Sequence, residues 1–176
     1  WPLVTGQQVH GTWLAVVSHS HPPRPGGERA GVRGDHLAGT DGFITNRPGV
    51  VLGIFSADCQ PVWLVDPRRR AVGLVHAGRL GLLRGIVPAA IRLMRRNFGA
   101  RPRDLRVWIG PHVRRSCYPL ALARLTRAQC VKAGVPAGRI RASRICTGCD
   151  RRFFSHRRTR DPRRMLSIAA IACYPR

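Results

Sequence analysis

The sequence predicts an α/β fold, a single-domain layered sandwich with a mixed β-sheet and flanking helices. Short apolar runs typical of strands alternate with two longer stretches of helical periodicity. Two of the runs, PVWLV and AVGLV, are separated only by DPRRR and predict a β-hairpin, so the sheet is not purely parallel. The 176 residues suffice for one domain with a substantial core.

The N-terminal half is predicted to consist mainly of strands. Residues 3–17 predict a strand pair or a strand and a turn. Residues 49–58, GVVLGIFSAD, predict a buried strand because the apolar run is continuous, and the hairpin follows. Residues 18–40 are rich in proline, glycine, serine and charge, a composition that buries little surface, and they predict a long mobile loop.

The C-terminal half mixes helices and strands. From Leu80 to Arg96 the apolar residues recur at helical spacing, and Pro88 predicts a kink or a restart with the proline near a first turn. Residues 120–133 predict a second helix that ends at Gly134. The remaining runs predict strands: LRVWIG, RIRASRIC, RRFFSH and MLSIAAIA.

The chain is strongly basic, with 31 lysine and arginine residues against 8 acidic ones and a formal net charge of +23. Such a surface attracts polyanions at low salt. The basic residues are scattered along the whole chain and only 6% of residues are aromatic, whereas a nucleic-acid module concentrates charge and pairs it with stacking aromatics. We therefore interpret the charge as a compositional bias that adds non-specific polyanion binding.

The composition also bears on the compartment. No apolar run approaches the ~20 residues of a membrane span. The N-terminal segment WPLVTGQQVHG lacks the basic and apolar regions of a signal peptide, so we expect a cytoplasmic protein without membrane contact. The 6 cysteines are spread irregularly, which favours thiols or metal ligands over a disulfide scaffold.

The hairpin carries a thiol and an imidazole at its outer ends. If its turn centres between Pro67 and Arg68, Cys59 lies directly opposite His76. Directly opposed residues have Cβ atoms about 4.5–5.5 Å apart, which suits two ligands of one zinc ion. Two unrelated polar residues are the plainer interpretation of the same spacing.

A catalytic zinc site commonly has three protein ligands, so a third is wanted. Spacing leaves two candidates, His10 in QQVHG and His112 in IGPHVRR, each on or beside a predicted strand and flanked by a small residue that lets a metal ion approach. The histidines His19, His21 and His36 lie in the predicted loop.

Several short motifs occur in one order along the chain: QQVHG, DGFIT, SADCQPVWL, VHAG, IGP followed by CY, and CTGCD followed by FFSHRR. In this order they resemble the laccase-domain family, whose members are also labelled polyphenol oxidases, multicopper polyphenol oxidoreductases or YfiH-type purine nucleoside phosphorylases. The resemblance implies that His10, Cys59 and His76 bind one zinc ion, with copper as the alternative ion. It thereby selects His10 over His112.

The resemblance also implies an activity on purine nucleosides: phosphorolysis of adenosine, inosine and methylthioadenosine, and deamination of adenosine. A three-ligand zinc ion leaves one coordination position open, and arginine binds phosphate bidentately. Cys59 and Asp58 are the expected catalytic residues, with Asp58 as an acid/base or a ligand-orienting group and a strand-end cap as its plainer role. The expected contacts to nucleoside or phosphate are Gln8, Arg79, Phe154 and Arg157, with Arg158 as a further candidate.

The sequence departs from the family pattern in three places. Family members carry a further stretch before the QVHG motif, so we expect a shortened member. The family's Trp-Arg-Gly after HAG is Arg79-Leu80-Gly81 here, and the segment between Tyr118 and Cys146 is short. Two rival functions therefore stay open: copper-dependent oxidation of phenols, and a degenerate, non-catalytic, arginine-rich polyanion binder.

No catalytic role is expected for the other cysteines. The CTGC motif is interpreted as structural or incidental because the chain has no second CxxC. The remaining thiols are expected to pack as small hydrophobic groups: Cys117, Cys130 and Cys173.

Overall fold

The computed structural model describes residues 1–17 and 36–172. Its strands are β1 (Leu3–Gly6), β2 (Leu14–Val16), β3 (His36–Leu37), β4 (Gly42–Thr45), β5 (Val51–Ser56), β6 (Gln60–Asp66), β7 (Ala71–Ala77), β8 (Arg106–Ile109), β9 (Ile140–Ala142) and β10 (Met165–Ala170). Its α-helices are α1 (Arg79–Leu83), α2 (Ile86–Phe98), α3 (Leu122–Lys132) and α4 (His156–Thr159). None of the helices in the described ranges is long and apolar enough to cross a membrane.

The strands form two mixed sheets. A four-stranded sheet has the order β10-β5-β1-β3, and a six-stranded sheet has the order β2-β4-β7-β6-β8-β9. In the first, β1 pairs parallel with β5 while β10 pairs antiparallel. In the second, β2–β4 and β8–β9 are parallel while β6–β7 is antiparallel. The predicted α/β sandwich with mixed sheet and flanking helices is therefore confirmed.

Strand β7 lies at the centre of the fold and is buried on both faces. Val75 and Ala77 on one face belong to the core shared with helices α1–α3, while Val72 and Leu74 on the other face pack with residues of the smaller sheet. This alternation is the two-residue period of a strand. His76 lies on the face of Leu74, so it points toward the smaller sheet and away from the helices.

The helical predictions hold in outline. The stretch from Leu80 to Arg96 forms two helices, α1 and α2, separated at Gly85, which has φ 80°. Pro88 is the third residue of α2, where no intrahelical hydrogen bond needs its missing N–H, so the predicted restart is correct. Helix α3 ends beside Gly134, which has φ 95°, close to the predicted end.

Two strand predictions near the C-terminus were wrong. Of RIRASRIC only Ile140–Ala142 is a strand. The run RRFFSH contains no strand: it consists of turns and leads into α4, which begins where the Ser155 side chain accepts a hydrogen bond from the N–H of Arg158. A local cap therefore decides this segment, and the strand pattern of its aromatic residues does not.

The predicted mobile loop of residues 18–40 falls largely outside the described residues. Residues 18–35 are not described, and at residues 36–37 the chain forms strand β3, which pairs parallel with β1. The Nδ1 atom of His36 lies 3.0 Å from the hydroxyl of Thr5. The described end of this segment is thus part of the smaller sheet.

The register of the β6–β7 hairpin differs from the prediction. His76 pairs with Pro61 rather than with Cys59, because the connection between Asp66 and Ala71 is longer than the assumed turn. The Asp66 carboxylate stabilises this connection by accepting the backbone N–H groups of Arg68 and Arg69.

The difference from the predicted register is two residues. Because side chains alternate with a period of two, a shift of two residues leaves each side chain on the same face of the sheet. Cys59, just before β6, is therefore a diagonal rather than a direct neighbour of His76. The two side chains still share one face.

Candidate active site

Three chain segments bring His10, Cys59 and His76 together. His10 follows β1, Cys59 lies in the turn between β5 and β6, and His76 is near the end of β7. One ligand atom from each lies within 4.8 Å of the other two. The imidazole rings of the two histidines meet edge-on, with centroids 4.8 Å apart and planes at 76°.

The backbone is strained where two of these segments enter the site. His10 has φ 58° and Asp58, beside the cysteine, has φ 79°, both in the left-handed region that non-glycine residues seldom adopt. Asp and His enter this region more readily than most residues. Strain of this kind persists only where surrounding contacts hold it, and it is frequent at functional sites.

The buried carboxylate of Asp41 holds both histidines. It accepts the backbone N–H of His10 at 3.0 Å and that of Gly11 at 2.7 Å. It also lies 2.9 Å from Nδ1 of His76, so that Nδ1–H donates to the carboxylate and Nε2 is left for another partner. Asp41 was not among the predicted site residues, although the quoted motif DGFIT begins with it.

The site polarises the thiol and the imidazole toward charged forms. Burial raises the pKa of Cys59, but hydrogen bonds from His10 and His76 outweigh burial and lower it to about 6. Burial lowers the pKa of His76, but hydrogen bonds with Asp41 and Cys59 outweigh it and raise it to about 9. The lowered pKa of Cys59 favours its thiolate, and the thiolate is the form of cysteine that binds metal ions.

A glycine makes the close approach of these ligands sterically feasible. A Cβ atom added at Gly78 would lie 2.9 Å from Cδ2 of His10 and 3.2 Å from Sγ of Cys59. Its φ of −74° suits any residue, so a substitution here acts through this contact and not through the backbone.

We expect Gly78→Ala to weaken Zn²⁺ binding at this site about tenfold, because the methyl group displaces two ligand side chains. Competition against a chromophoric chelator measures the affinity. Gly138→Ala is the matched control, because a Cβ atom there meets no atom within 4 Å. Equal affinities of the two variants would contradict the prediction.

His10, Cys59 and His76 line a cavity of about 760 Å³. This volume is in the range of small-molecule sites. Its other lining side chains come from the smaller sheet and its loops, from α1, and from the segments after β8 and β9; they include Gln8, Phe55, Arg79, Tyr118, Arg157 and Arg164. A ligand in the cavity would therefore face three arginines and two aromatic rings beside the histidine–cysteine cluster.

The residues predicted to bind substrate differ in whether their polar groups face the cavity or bond to the protein itself. Arg79 lines the cavity and is exposed. Arg157 also lines it, with the guanidinium 4.8 Å from the centroid of the Tyr118 ring. The Gln8 amide bonds to the backbone of Phe55 through both its nitrogen, at 2.6 Å, and its oxygen, at 2.7 Å. Gln8 therefore forms part of the wall.

Two residues of the FFSHRR motif lie elsewhere. The Phe154 ring does not line the cavity and packs beneath Arg163, whose guanidinium is 5.0 Å from the ring centroid. The Arg158 guanidinium donates to backbone carbonyl groups, including those of Thr147 and Phe153, each at 2.7 Å. Arg158 thus stabilises the C-terminal loops. It lies in helix α4, which the strand prediction missed.

Both carboxylate oxygens of Asp58 accept hydrogen bonds from the C-terminal part of the chain. One carboxylate oxygen accepts the Thr147 hydroxyl at 2.6 Å and the other accepts the backbone N–H of Arg157 at 2.8 Å. The side chain is nearly buried. This geometry favours a positioning role, in which Asp58 ties the cysteine turn to the C-terminal segment.

Histidine His112, the rival third ligand, lies apart from the cluster. It is buried, and its Nδ1 lies 2.8 Å from the carbonyl oxygen of Gly110. A further hollow of about 830 Å³ runs along β6, β8 and β9, and it contains none of the predicted site residues.

The remaining cysteines divide into two groups. Cys130 is fully buried in the core, as predicted. Cys117, expected to pack as a small hydrophobic group, instead lies with Cys146 and Cys149 in a second cluster, with sulfur atoms all within 4.8 Å of one another. That cluster is also able to hold a metal ion. Cys173 lies outside the described residues, as do His19 and His21.

Fold and site together define an α/β sandwich protein with a two-histidine, one-cysteine candidate metal site in an open cavity. The chain belongs to the multi-copper polyphenol oxidoreductase laccase family, whose sequence profile matches residues 1–121 and 119–172. The resemblance that the motifs indicated is thereby confirmed.

Individual relatives agree with the family assignment. The purine nucleoside phosphorylase YlmD of Geobacillus stearothermophilus is 32% identical over 88% of this chain and 66% of its own length. Its crystal structure superposes with a TM-score of 0.86, covering 97% of this chain and 73% of that chain. A purine nucleoside phosphorylase of Streptomyces coelicolor is 35% identical over 93% of this chain and 72% of its own length. This chain thus spans about two thirds of the relatives' length.

Proposed function

We propose that this chain is a zinc-dependent purine nucleoside phosphorylase that also deaminates adenosine. The observation that carries the proposal is the convergence of His10, Cys59 and His76 within 4.8 Å at a cavity of nucleoside size. Two relatives that bear the name purine nucleoside phosphorylase support the reaction class. The proposed substrates are adenosine, inosine and methylthioadenosine, each with phosphate.

The donor set fits zinc. Two imidazoles and one thiolate are ligands that Zn²⁺ binds in catalytic sites, where a further position stays open to a small molecule. Asp41 fixes the His76 tautomer with Nε2 available, as metal-binding histidines require. A zinc ion bound here supplies Lewis-acid stabilisation of charge on a substrate oxygen or nitrogen.

The same donors argue against a multicopper oxidase. Multicopper chemistry needs enough ligands for several copper ions, with many imidazoles among them. In residues 1–17 and 36–172 the clusters able to hold an ion are one set of two histidines and a cysteine, and one set of three cysteines. The two sets together contain only two histidines, too few for several copper ions. We therefore place nucleoside chemistry ahead of phenol oxidation.

The arginines of the cavity wall are proposed to bind the phosphate. In phosphorolysis a phosphate oxygen forms a bond to the anomeric carbon of the ribose, the bond from that carbon to the base nitrogen breaks, and the base leaves with the electron pair and takes up a proton. Arg157 and Arg79 line the cavity and supply positive charge for the attacking dianion. The net charge of +23 also attracts the phosphate toward the cavity.

Deamination requires a different partner in the same cavity. Water adds to the purine carbon that bears the amino group, and ammonia leaves. The Tyr118 ring, on which the Arg157 guanidinium packs, offers an aromatic surface for the base in either reaction. Asp58 is proposed to position Arg157 through the backbone N–H bond and not to transfer a proton itself.

Product analysis tests the proposal directly. The purified chain, loaded with Zn²⁺, is expected to release hypoxanthine and ribose 1-phosphate from inosine only when phosphate is present, and ammonia from adenosine. A preparation with full zinc content and no base release would contradict the proposal. Oxygen consumption with a phenol substrate would favour the oxidase instead.

The Arg157→Gln variant tests the phosphate site. We expect the KM for phosphate to rise about tenfold, because one charge-assisted hydrogen bond is worth about 1.5–3 kcal/mol. The kcat should change little. Arg124→Gln, which removes one exposed charge from α3, is the matched control for the loss of overall charge. An equal rise of KM in both variants would show that the field of the whole protein, and not Arg157, recruits phosphate.

A further inference from the structure

Three cysteines from two loops meet beside the wall of the cavity. Cys117 belongs to the loop after β8, while Cys146 and Cys149 form the CTGC motif after β9. The sulfur atoms of Cys117 and Cys149 are 3.1 Å apart, and all three sulfurs lie within 4.8 Å of one another. The two loops are about 30 residues apart in sequence, so the cluster arises only in the folded chain.

The surroundings are built to accept thiolates. The backbone N–H of Arg114 points at Sγ of Cys146 at 3.3 Å. The Ser116 hydroxyl lies 3.6 Å from Sγ of Cys146 and 3.5 Å from Sγ of Cys149. N–H and O–H groups directed at sulfur favour negative charge on it, and a thiolate is the form that binds metal ions.

The glycine of CTGC allows the two loops to approach. A Cβ atom added at Gly148 would lie 2.8 Å from Cβ and 3.0 Å from Sγ of Cys117. Within the motif, the carbonyl oxygen of Cys146 accepts the backbone N–H groups of Cys149 and Asp150, forming a turn that brings both sulfurs to one side. Turns of this kind are typical of the CxxC half of zinc sites.

We propose that Cys117, Cys146 and Cys149 hold a second zinc ion, in a site separate from the candidate active site. Three thiolates are a soft donor set that selects zinc over magnesium, calcium or manganese. Cys149 and Ser116 are exposed, so water completes the fourth position from the solvent side.

The site fastens one wall of the cavity. Thr147, between two of the ligands, donates its hydroxyl to Asp58 at 2.6 Å. Tyr118 follows Cys117 directly and lines the cavity. A metal ion that ties Cys117 to the CTGC turn therefore fixes Tyr118 relative to Asp58, although it touches no substrate.

Zinc counting tests the site independently of any activity. Under reducing conditions we expect about two zinc ions per chain in the wild type, about one in Cys149→Ser and in Cys146→Ser, and about two in Cys130→Ala, whose cysteine is isolated in the core. The Cys59→Ala variant should keep about one ion, which separates failure of this proposal from failure of the proposed function. An unchanged zinc content in Cys149→Ser, an exposed position where folding is not at stake, would overturn the proposal.

Cobalt identifies which site each ion occupies. In cobalt-loaded Cys59→Ala, thiolate-to-cobalt charge-transfer absorption should remain strong, because three thiolates stay bound. In cobalt-loaded Cys149→Ser it should fall by more than half. A Cys117–Cys149 disulfide that persists by mass spectrometry in protein purified under reducing conditions and then loaded with zinc would likewise overturn the proposal.

Discussion

Replacing Cys59 by alanine should remove zinc from the candidate active site and lower kcat/KM for inosine phosphorolysis by about 1000-fold. The thiolate is the one anionic ligand of the His10–Cys59–His76 set, and its loss leaves two imidazoles, one of which already bonds to Asp41. A metal ion supplies several kcal/mol of charge stabilisation to a reaction of this kind, which corresponds to about three factors of ten. Zinc content and hypoxanthine release measured on the same preparation check both parts.

Two variants make this result interpretable. Cys130→Ala removes a fully buried thiol from the core and should keep both zinc and activity. His10 is the exposed residue of the cluster, and His10→Ala should also lose activity although it keeps the negative charge of the Cys59 thiolate. A Cys59→Ala protein that retains wild-type base release would exclude this cluster as the catalytic centre.

The fold class was readable from the sequence because its signals are local. Continuous apolar runs identified β5 and the hairpin, and helical spacing identified α2 and α3. Strand β7 is buried on both faces, so its run AVGLV has no polar alternation to misread. The strand prediction for RRFFSH was wrong because its aromatic residues suggested a strand. The Ser155 cap and the bonds from the Arg158 guanidinium to backbone carbonyl groups favour a turn and a short helix instead.

The meeting of Cys59 and His76 was predicted from a register that was off by two residues. The outcome survived because an even shift keeps both side chains on one face, and a thiol and an imidazole are long enough to meet diagonally. An odd shift would have placed them on opposite faces. His10 could not be chosen over His112 by spacing, because the loop after β1 meets the hairpin through contacts between distant segments, among them the bonds of Asp41 to His10 and His76.

Asp41 and Cys117 were missed for one physical reason. Each acts through a contact between segments far apart in the chain, and neither has a local pattern that reveals its partner. Asp41 joins the segment after β1 to β7, and Cys117 meets a CTGC motif that lies beyond α3. A fully buried aspartate is itself a strong signal, because a carboxylate is buried only with partners, but burial is known only from the structure.

The Asp41→Asn variant should weaken zinc binding about 10- to 100-fold and lower the free energy of unfolding by about 1–3 kcal/mol. The native carboxylate accepts the N–H groups of His10 and Gly11 and the Nδ1–H of His76, all in a buried setting. An asparagine side chain offers a single oxygen to these donors and turns an NH₂ group against the rest. His76 then loses the bond that fixes its tautomer, and His10 loses support for its left-handed backbone.

Asp66→Asn is the matched control for this prediction. Asp66 is also buried, but it is the last residue of β6 and accepts backbone N–H groups of the hairpin connection through one oxygen, which asparagine retains. We expect it to change zinc affinity by less than about twofold. The KM of Asp41→Asn for phosphate should equal the wild-type value when zinc saturates its site, because Asp41 orders the metal ligands and not the arginines. Zinc affinity equal to that of the wild type in Asp41→Asn would show that the histidines are positioned without this carboxylate.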